Sequence, residues 1–290
     1  MLRRGRLRLV AAALLALLLA GCGPKVVTDS DSDPAPAEAV LAAAHAVRIG
    51  QVDVGLAAFS ALAEAHPDSW EAARGLQDAR RRSMRPEEFE DLYVAAHQAA
   101  PESALAWYLL GRARIERPGE AMAAFDEAEA RAPRNPWPVA AKAYLHGASG
   151  NRYLSVQTYE RGIERMPRSA KLRLLLGNEL LRLQLLVDAQ RHLEFGHRLA
   201  PDDPLMTAAL GKAYVELGRH DTGKVLLEEA LAANPNQPDV SMSLARLVLL
   251  DRDVERAEAL YRQALEGGSP PDTDFYAEIR AARIAVQAAR

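Results

Sequence analysis

Apolar residues recur at three- and four-residue steps from about residue 36 to residue 271, and the pattern is cut at regular intervals by proline. That spacing places one apolar stripe along each of a series of short helices. Six prolines mark the cuts: Pro67, Pro101, Pro133, Pro167, Pro201 and Pro235, spaced 34, 32, 34, 34 and 34 residues apart. A proline ring cannot continue a helix, so each marks where one must end. Within each interval the pattern predicts two helices of about three turns, with Gly150 and Gly218 marking the turn between them in two of the copies.

Other positions keep phase with the prolines. Eight residues before each stands a ring or a leucine: Phe59, Tyr93, Phe125, Tyr159, Leu193 and Leu227. Five before stands a mostly small residue: Leu62, Ala96, Ala128, Gly162, Gly196 and Ala230. Ten after stand Gln77, Gly111, Ala143, Gly177, Gly211 and Ala245, each preceded by leucine except at Lys142. The second helix carries its own small residue at Ala121, Ser155, Ala189, Gly223 and Ala257. Small residues on both helices allow a close crossing, and the bulky residue fills the space beside it.

This period and the Leu-Gly…Tyr…Ala…Phe…Ala…Pro pattern resemble the tetratricopeptide repeat (TPR). The best copy reads Leu210-Gly211…Tyr214…Gly223…Leu227…Ala230…Pro235. The resemblance implies an all-α, right-handed superhelical solenoid of about seven helix-turn-helix units, near residues 36–69, 70–103, 104–135, 136–169, 170–203, 204–237 and 238–271. Two units depart from the pattern. The second has Gln77 and Phe89 where small residues are expected, which predicts an altered crossing. The third is two residues short and turns through Pro118-Gly119. Beyond Gly267-Gly268-Ser269-Pro270-Pro271, residues 272–290 read as a capping helix with Phe275, Ile279, Ala282 and Val286 in register. Repeat arrays need such a polar-backed end.

The first residues follow different rules. Arg3, Arg4, Arg6 and Arg8 precede a 12-residue apolar run, Leu9 to Ala20, and then Leu19-Ala20-Gly21-Cys22. The layout is that of a secretory signal over residues 1–21. The apolar run is shorter than the ~20 residues that span a bilayer. The tetrapeptide resembles a bacterial lipobox, which implies cleavage before Cys22 and lipidation of that residue. Three acyl chains would hold the protein to a membrane, at ~0.8 kcal/mol per buried methylene. Residues 22–35 then form the lipidated start and a Pro/Ser/Asp-rich tether. Gly23, in place of the Asp that marks inner-membrane retention, points to the outer membrane, with the protein facing the periplasm.

Composition narrows the function. The chain is 49% hydrophobic and 6% aromatic, with a net charge of −3 that becomes −7 once the four leading arginines are lost. No basic excess exists for nucleic acid. Cys22 is the only cysteine, so neither an internal disulfide nor a thiolate zinc site can form. No GxSxG, HExxH or phosphate-binding glycine loop is present. His192 and His197, five apart, face different sides of a helix. The densest basic run, Arg80-Arg81-Arg82 with Arg85, reads as a solvated helix end. These readings predict a non-enzymatic protein without cofactor or metal.

In the TPR family the first helix of each unit lines an inner groove. Carried over, the groove column reads Asp78, Arg112, Tyr144, Asn178, Lys212 and Arg246. One turn earlier lie Arg74, Tyr108, Ala140, Leu174, Ala208 and Met242, with Trp137 and Arg182 near the same wall. Tyr108, Arg112, Trp137, Tyr144, Asn178, Arg182, Lys212, Met242 and Arg246 are therefore the candidate partner-binding residues. Cations interspersed with aromatic and Met side chains suit an extended peptide. Leu174, Ala208 and Met242 stand where the family's carboxylate clamp needs a lysine, so recognition of that kind is not expected.

The lipobox, the tandem units and the stretch Asn234-Pro235-Asn236-Gln237-Pro238 together resemble the pilotins of type IV pilus systems. That resemblance implies a scaffold for a secretin-like component of the cell envelope, attached to the membrane by its lipid. The alternative is an adaptor for cell-wall hydrolases or polysaccharide export.

Overall fold

The computed structural model describes residues 35–288; the signal segment, Cys22 and all but the last residue of the tether lie outside the described residues. Fifteen α-helices and no strand occur among them. The chain divides into two compact units, one ending at Met166 and one starting at Pro167. The first contains α1 (Ala37–Arg48), α2 (Val52–Ala65), α3 (Trp70–Ser83), α4 (Pro86–Ala99), α5 (Ala104–Ala113), α6 (Pro118–Arg131), α7 (Pro136–Ala148) and α8 (Arg152–Arg165). The second contains α9 (Ala170–Arg182), α10 (Leu186–Leu199), α11 (Pro204–Glu216), α12 (His220–Ala233), α13 (Pro238–Leu250), α14 (Val254–Glu266) and α15 (Thr273–Ala288).

The proline marks both an end and a beginning. The residue before it ends a helix with an extended φ, from −126° at Met166 to −141° at Ala200 and Asn234. Proline's own ring excludes the helical conformation there. Two residues after the first five prolines stands a capping side chain: Ser69, Ser103, Asn135, Ser169 and Asp203. Each accepts a backbone N–H of the next helix's first turn, satisfying a group that the helix cannot. Asp203 accepts two, from Leu205 at 2.9 Å and Met206 at 3.4 Å. Asp203→Ala should therefore cost about 1 kcal/mol. A thermal melt should show the loss for Ala and not for Asn, and equal melting of the two variants would contradict the capping role.

Inside most hairpins the small residues work as the sequence implies. A Cβ placed on Gly177 would lie 2.4 Å from Leu193, and one on Gly111 would lie 2.6 Å from the Phe125 ring. At the α11–α12 crossing a Cβ on Gly223 would come within 2.8 Å of the Gly211 carbonyl oxygen. The backbones approach so closely that only hydrogen fits. Four hairpin turns pass through the left-handed region at 34-residue intervals: Gly150 (φ 82°), Gln184 (58°), Gly218 (76°) and Arg252 (63°). Gly50 (φ 87°) holds the same place in the first hairpin.

The second hairpin differs, as Gln77 and Phe89 predicted. Gln77 is fully buried and its side-chain amide donates to the Leu109 carbonyl at 2.7 Å. It fills the space where a hairpin partner would pack, so α3 and α4 touch only loosely. The α2 helix packs on α3 instead, and Phe59 lies where a Cβ on Gly75 would be only 2.0 Å from its ring. The Phe89 and Tyr93 rings meet at 5.0 Å, tilted by 60°. In the third hairpin the missing length comes out of α5, which has only 10 residues, so the Gly111–Phe125 crossing keeps its place.

The basic run lies in and just after the last turn of α3, with Arg81, Arg82 and Arg85 exposed, and two of its arginines also bond to backbone. Arg82 donates to the Val47 carbonyl at 2.8 Å and Arg81 to the Arg112 carbonyl at 2.5 Å. Each arginine thus satisfies a last-turn carbonyl of a neighbouring first helix, α1 on one side and α5 on the other. Arg81 also lies 4.7 Å from the centre of the Phe89 ring, and Arg85 pairs with Glu88.

In the second unit one core joins α11 to α15 and includes Leu227, Val240, Leu244, Tyr261, Phe275 and Ile279. The α15 residues Phe275 and Ile279 are each 1% exposed. They continue the buried phase of Val240 and Leu244 on α13, so α15 docks as a further first helix would. Ala282 and Val286 are half-buried against the same core.

Candidate partner-binding surface

The candidates occupy like positions on the first helices of successive hairpins. The structure divides the nine candidates into three groups. Two are buried and are corrected here. Tyr108 is 2% exposed, with Trp70 at 5.0 Å and Phe125 at 5.8 Å from its ring. It belongs to the core between α3, α5 and α6 and presents nothing to a partner. Trp137 is 8% exposed because the protein's own Glu71 and Arg74 cover it.

A second group consists of cations already engaged by carboxylates. Arg112 contacts Asp78 at 2.7 Å and covers Tyr108. Lys212 pairs with Asp239, and Arg246 with Asp272 at 2.5 Å while its guanidinium lies 4.6 Å from the Phe275 ring centre. Arg182 pairs with the buried Glu179 on its own helix. The third group is apolar or neutral. Tyr144 is 61% exposed on α7. Asn178 on α9 and Met242 on α13 are half-buried, and Met242 rests against the core.

The acids are what sequence reading missed. Lys212 and Asp239 are 27 residues apart, Lys224 and Asp251 also 27, and Arg246 and Asp272 26. This is one repeat less about two helical turns, the offset at which one tilted helix meets its neighbour. A search for opposite charges at that offset would have found them. These pairs are partly exposed, and such pairs contribute only ~0–1 kcal/mol. A partner carboxylate can replace the internal one at little net cost.

Leu205, 39% exposed at the start of α11, is a further apolar member that the column did not include. A hollow of about 510 Å³ lies beside the same hairpin, lined by Leu210, Tyr214, Asp221, Thr222, Val225 and Leu226. Tyr214 donates to Glu194 at 2.8 Å, and Gln190 donates to the same oxygen at 2.6 Å. These two hydrogen bonds hold the Glu194 carboxyl below its ordinary range. No group of three His, Cys, Asp or Glu side chains suited to a metal occurs among the described residues.

Residues 208–272 match the family model described as the tetratricopeptide repeat. The helix hairpins extend the same 34-residue phase back to residue 37. The chain has the tetratricopeptide repeat fold. Solved structures share this fold. A chain of the APC/C hetero-tetramer Cut9–Hcn1 superposes with a TM-score of 0.57 at 17% identity, over 83% of this chain and 48% of that one. A tetratricopeptide repeat protein from Parabacteroides merdae gives 0.54 at 13% identity, over 85% and 98%. Pseudomonas aeruginosa pilF gives 0.53 at 22% identity, over 59% and 79%. The chain spans about half the length of the Cut9–Hcn1 chain. At these identities the likeness is one of fold. For this TPR chain, the fold places Asn178, Lys212, Met242 and Arg246 on successive first helices of the second unit.

Proposed function

We propose that this TPR protein is a lipid-anchored, non-enzymatic scaffold on the periplasmic side of the outer membrane, and that it helps assemble envelope machinery. TPR arrays are protein-interaction scaffolds, and the second unit offers the chemistry for one. The observation that carries the reading is the combination on α11 and α13. Leu205 and Met242 supply apolar contact, while Lys212 and Arg246 stand in exchangeable ion pairs. An extended peptide needs just such alternation of charge anchors and apolar rests. The favoured pathway is secretin assembly in a type IV pilus system. It rests on the lipobox at Leu19–Cys22 and on the tandem units, and the fold shared with pilF is compatible with it.

The test is crosslinking in native envelopes followed by purification of the lipidated chain. Wild type should enrich one secretin or export component, and Leu205→Glu with Arg246→Ala should lose it. Cys22→Ser should release the protein from the membrane fraction. Retention of the partner by the double variant would move binding off this face. A hydrolase in place of a secretin would favour the cell-wall alternative.

A further inference from the structure

We propose that Glu71, Arg74 and Trp137 form a latch that closes the inner face of residues 70–148, so that α3 and the hairpins of α5–α6 and α7–α8 move as one block. In a repeat array each copy ordinarily touches only its neighbours. Here the Trp137 indole N–H donates to the Glu71 carboxylate at 3.0 Å, across 66 residues and over the intervening α5. The Arg74 guanidinium lies 3.5 Å from the centre of the indole ring. A cation against that face is attracted by the ring's quadrupole.

Both ends of the latch are held in advance. Trp137 stands between Pro136 and Pro138 in the first turn of α7, with its backbone N–H accepted by Asn135 at 2.9 Å. The flanking prolines fix their own φ angles, so the backbone that carries the indole is set before contact. Glu71 lies in the first turn of α3, behind the Ser69 cap. Arg74 is buried deeply enough that its Nε has no hydrogen-bond partner. Its backbone carbonyl accepts from Arg112 at 3.4 Å, which ties α5 into the same set. Burial lowers the pKa of Arg74, with Arg112 acting in the same sense and Tyr108, Asp78 and Glu71 opposing.

The latch decides access. A segment crossing the inner face of these hairpins must first lift Trp137.

Indole N–H exchange in the full chain labelled with 15N-tryptophan tests it. Trp137→Phe assigns the signal. The Trp107 indole, bonded to the Pro101 carbonyl at 2.8 Å, reports in the same spectrum that the fold is intact. Trp137 should exchange well below the rate of a free indole. Glu71→Ala should speed it at least about tenfold, the order set by one hydrogen bond to a charged group. Glu71→Gln, which keeps an acceptor, should restore slow exchange. A wild-type Trp137 indole that exchanges like a free one overturns the latch, whatever the variants do. So does an unchanged rate in Glu71→Ala.

Discussion

Phe125→Ala is expected to lower the unfolding free energy by about 3–5 kcal/mol, the range for emptying a buried phenylalanine site. Phe125 is 0% exposed and fills the α5–α6 crossing between Gly111 and Tyr108. Gly111 has no side chain that could move into the space, and α5 has only 10 residues with which to hold its hairpin. The cavity therefore stays open, and its cost adds to the lost transfer energy. Phe125→Leu should cost less than half as much. Leu193 and Leu227 occupy the same phase opposite Gly177 and Gly211 without loss of burial. Urea titration followed by circular dichroism measures both variants. A loss under about 1 kcal/mol for Ala would contradict the close crossing.

Removing Glu129 is the second large effect. Its carboxylate is nearly buried, at 12% side-chain exposure, and meets Lys142 at 2.7 Å and Arg165 on a second oxygen. Lys142 also pairs with Asp126 at 2.7 Å, so four charges from α6, α7 and α8 share one site. Burial alone would raise the pKa of Glu129, but the hydrogen bonds from Lys142 and Arg165 hold it below the ordinary carboxylate value. Glu129→Ala takes the carboxylate from Arg165 and leaves Lys142 with Asp126 alone. Breaking a wholly buried pair costs ~3–5 kcal/mol; Arg165 is half in solvent, which reduces the expectation to about 2 kcal/mol.

The same geometry fixes the pH dependence. A carboxylate with a depressed folded-state pKa contributes its stability above the unfolded carboxylate range and loses it as pH falls through the folded value. Lys142, whose pKa is raised, contributes at neutral pH and loses its part on the alkaline side. Wild type should thus lose stability on acidification more steeply than Glu129→Ala, and the two curves should converge at low pH. Parallel curves from neutrality to pH 3 would show that the site contributes no linkage.

The hairpins were legible because a backbone period of 34 residues repeats every structural decision. Leu-Gly on one helix and a ring or leucine on the next determine a crossing, and proline with a following Ser, Asn or Asp determines where one helix stops and the next starts. Gln77 even announced the loosened second hairpin. The candidate surface was less legible, because a column on a helix differs from a buried position by a single step. Tyr108 and Arg112 are one turn apart, yet one is core and the other rim. The burial of Trp137 was not legible because its partner, Glu71, lies two copies away, beyond the reach of any nearest-neighbour pattern. Arg81 and Arg82 of α3 are exposed at a helix end, as their charge density suggested, but their carbonyl acceptors on flanking helices lie outside any local pattern.

The α15 helix sets Phe275 and Ile279 where an eighth copy would begin, and Asp272 meets Arg246 much as Asp239 meets Lys212. The seat of α15 is therefore the same kind of joint used between whole copies. Duplicating or excising one 34-residue module between residues 170 and 271 would return α15 to an equivalent seat, so length in this half can vary by unequal recombination. The span from residue 70 to residue 148 lacks that freedom, since a module removed there would separate Glu71 from Trp137.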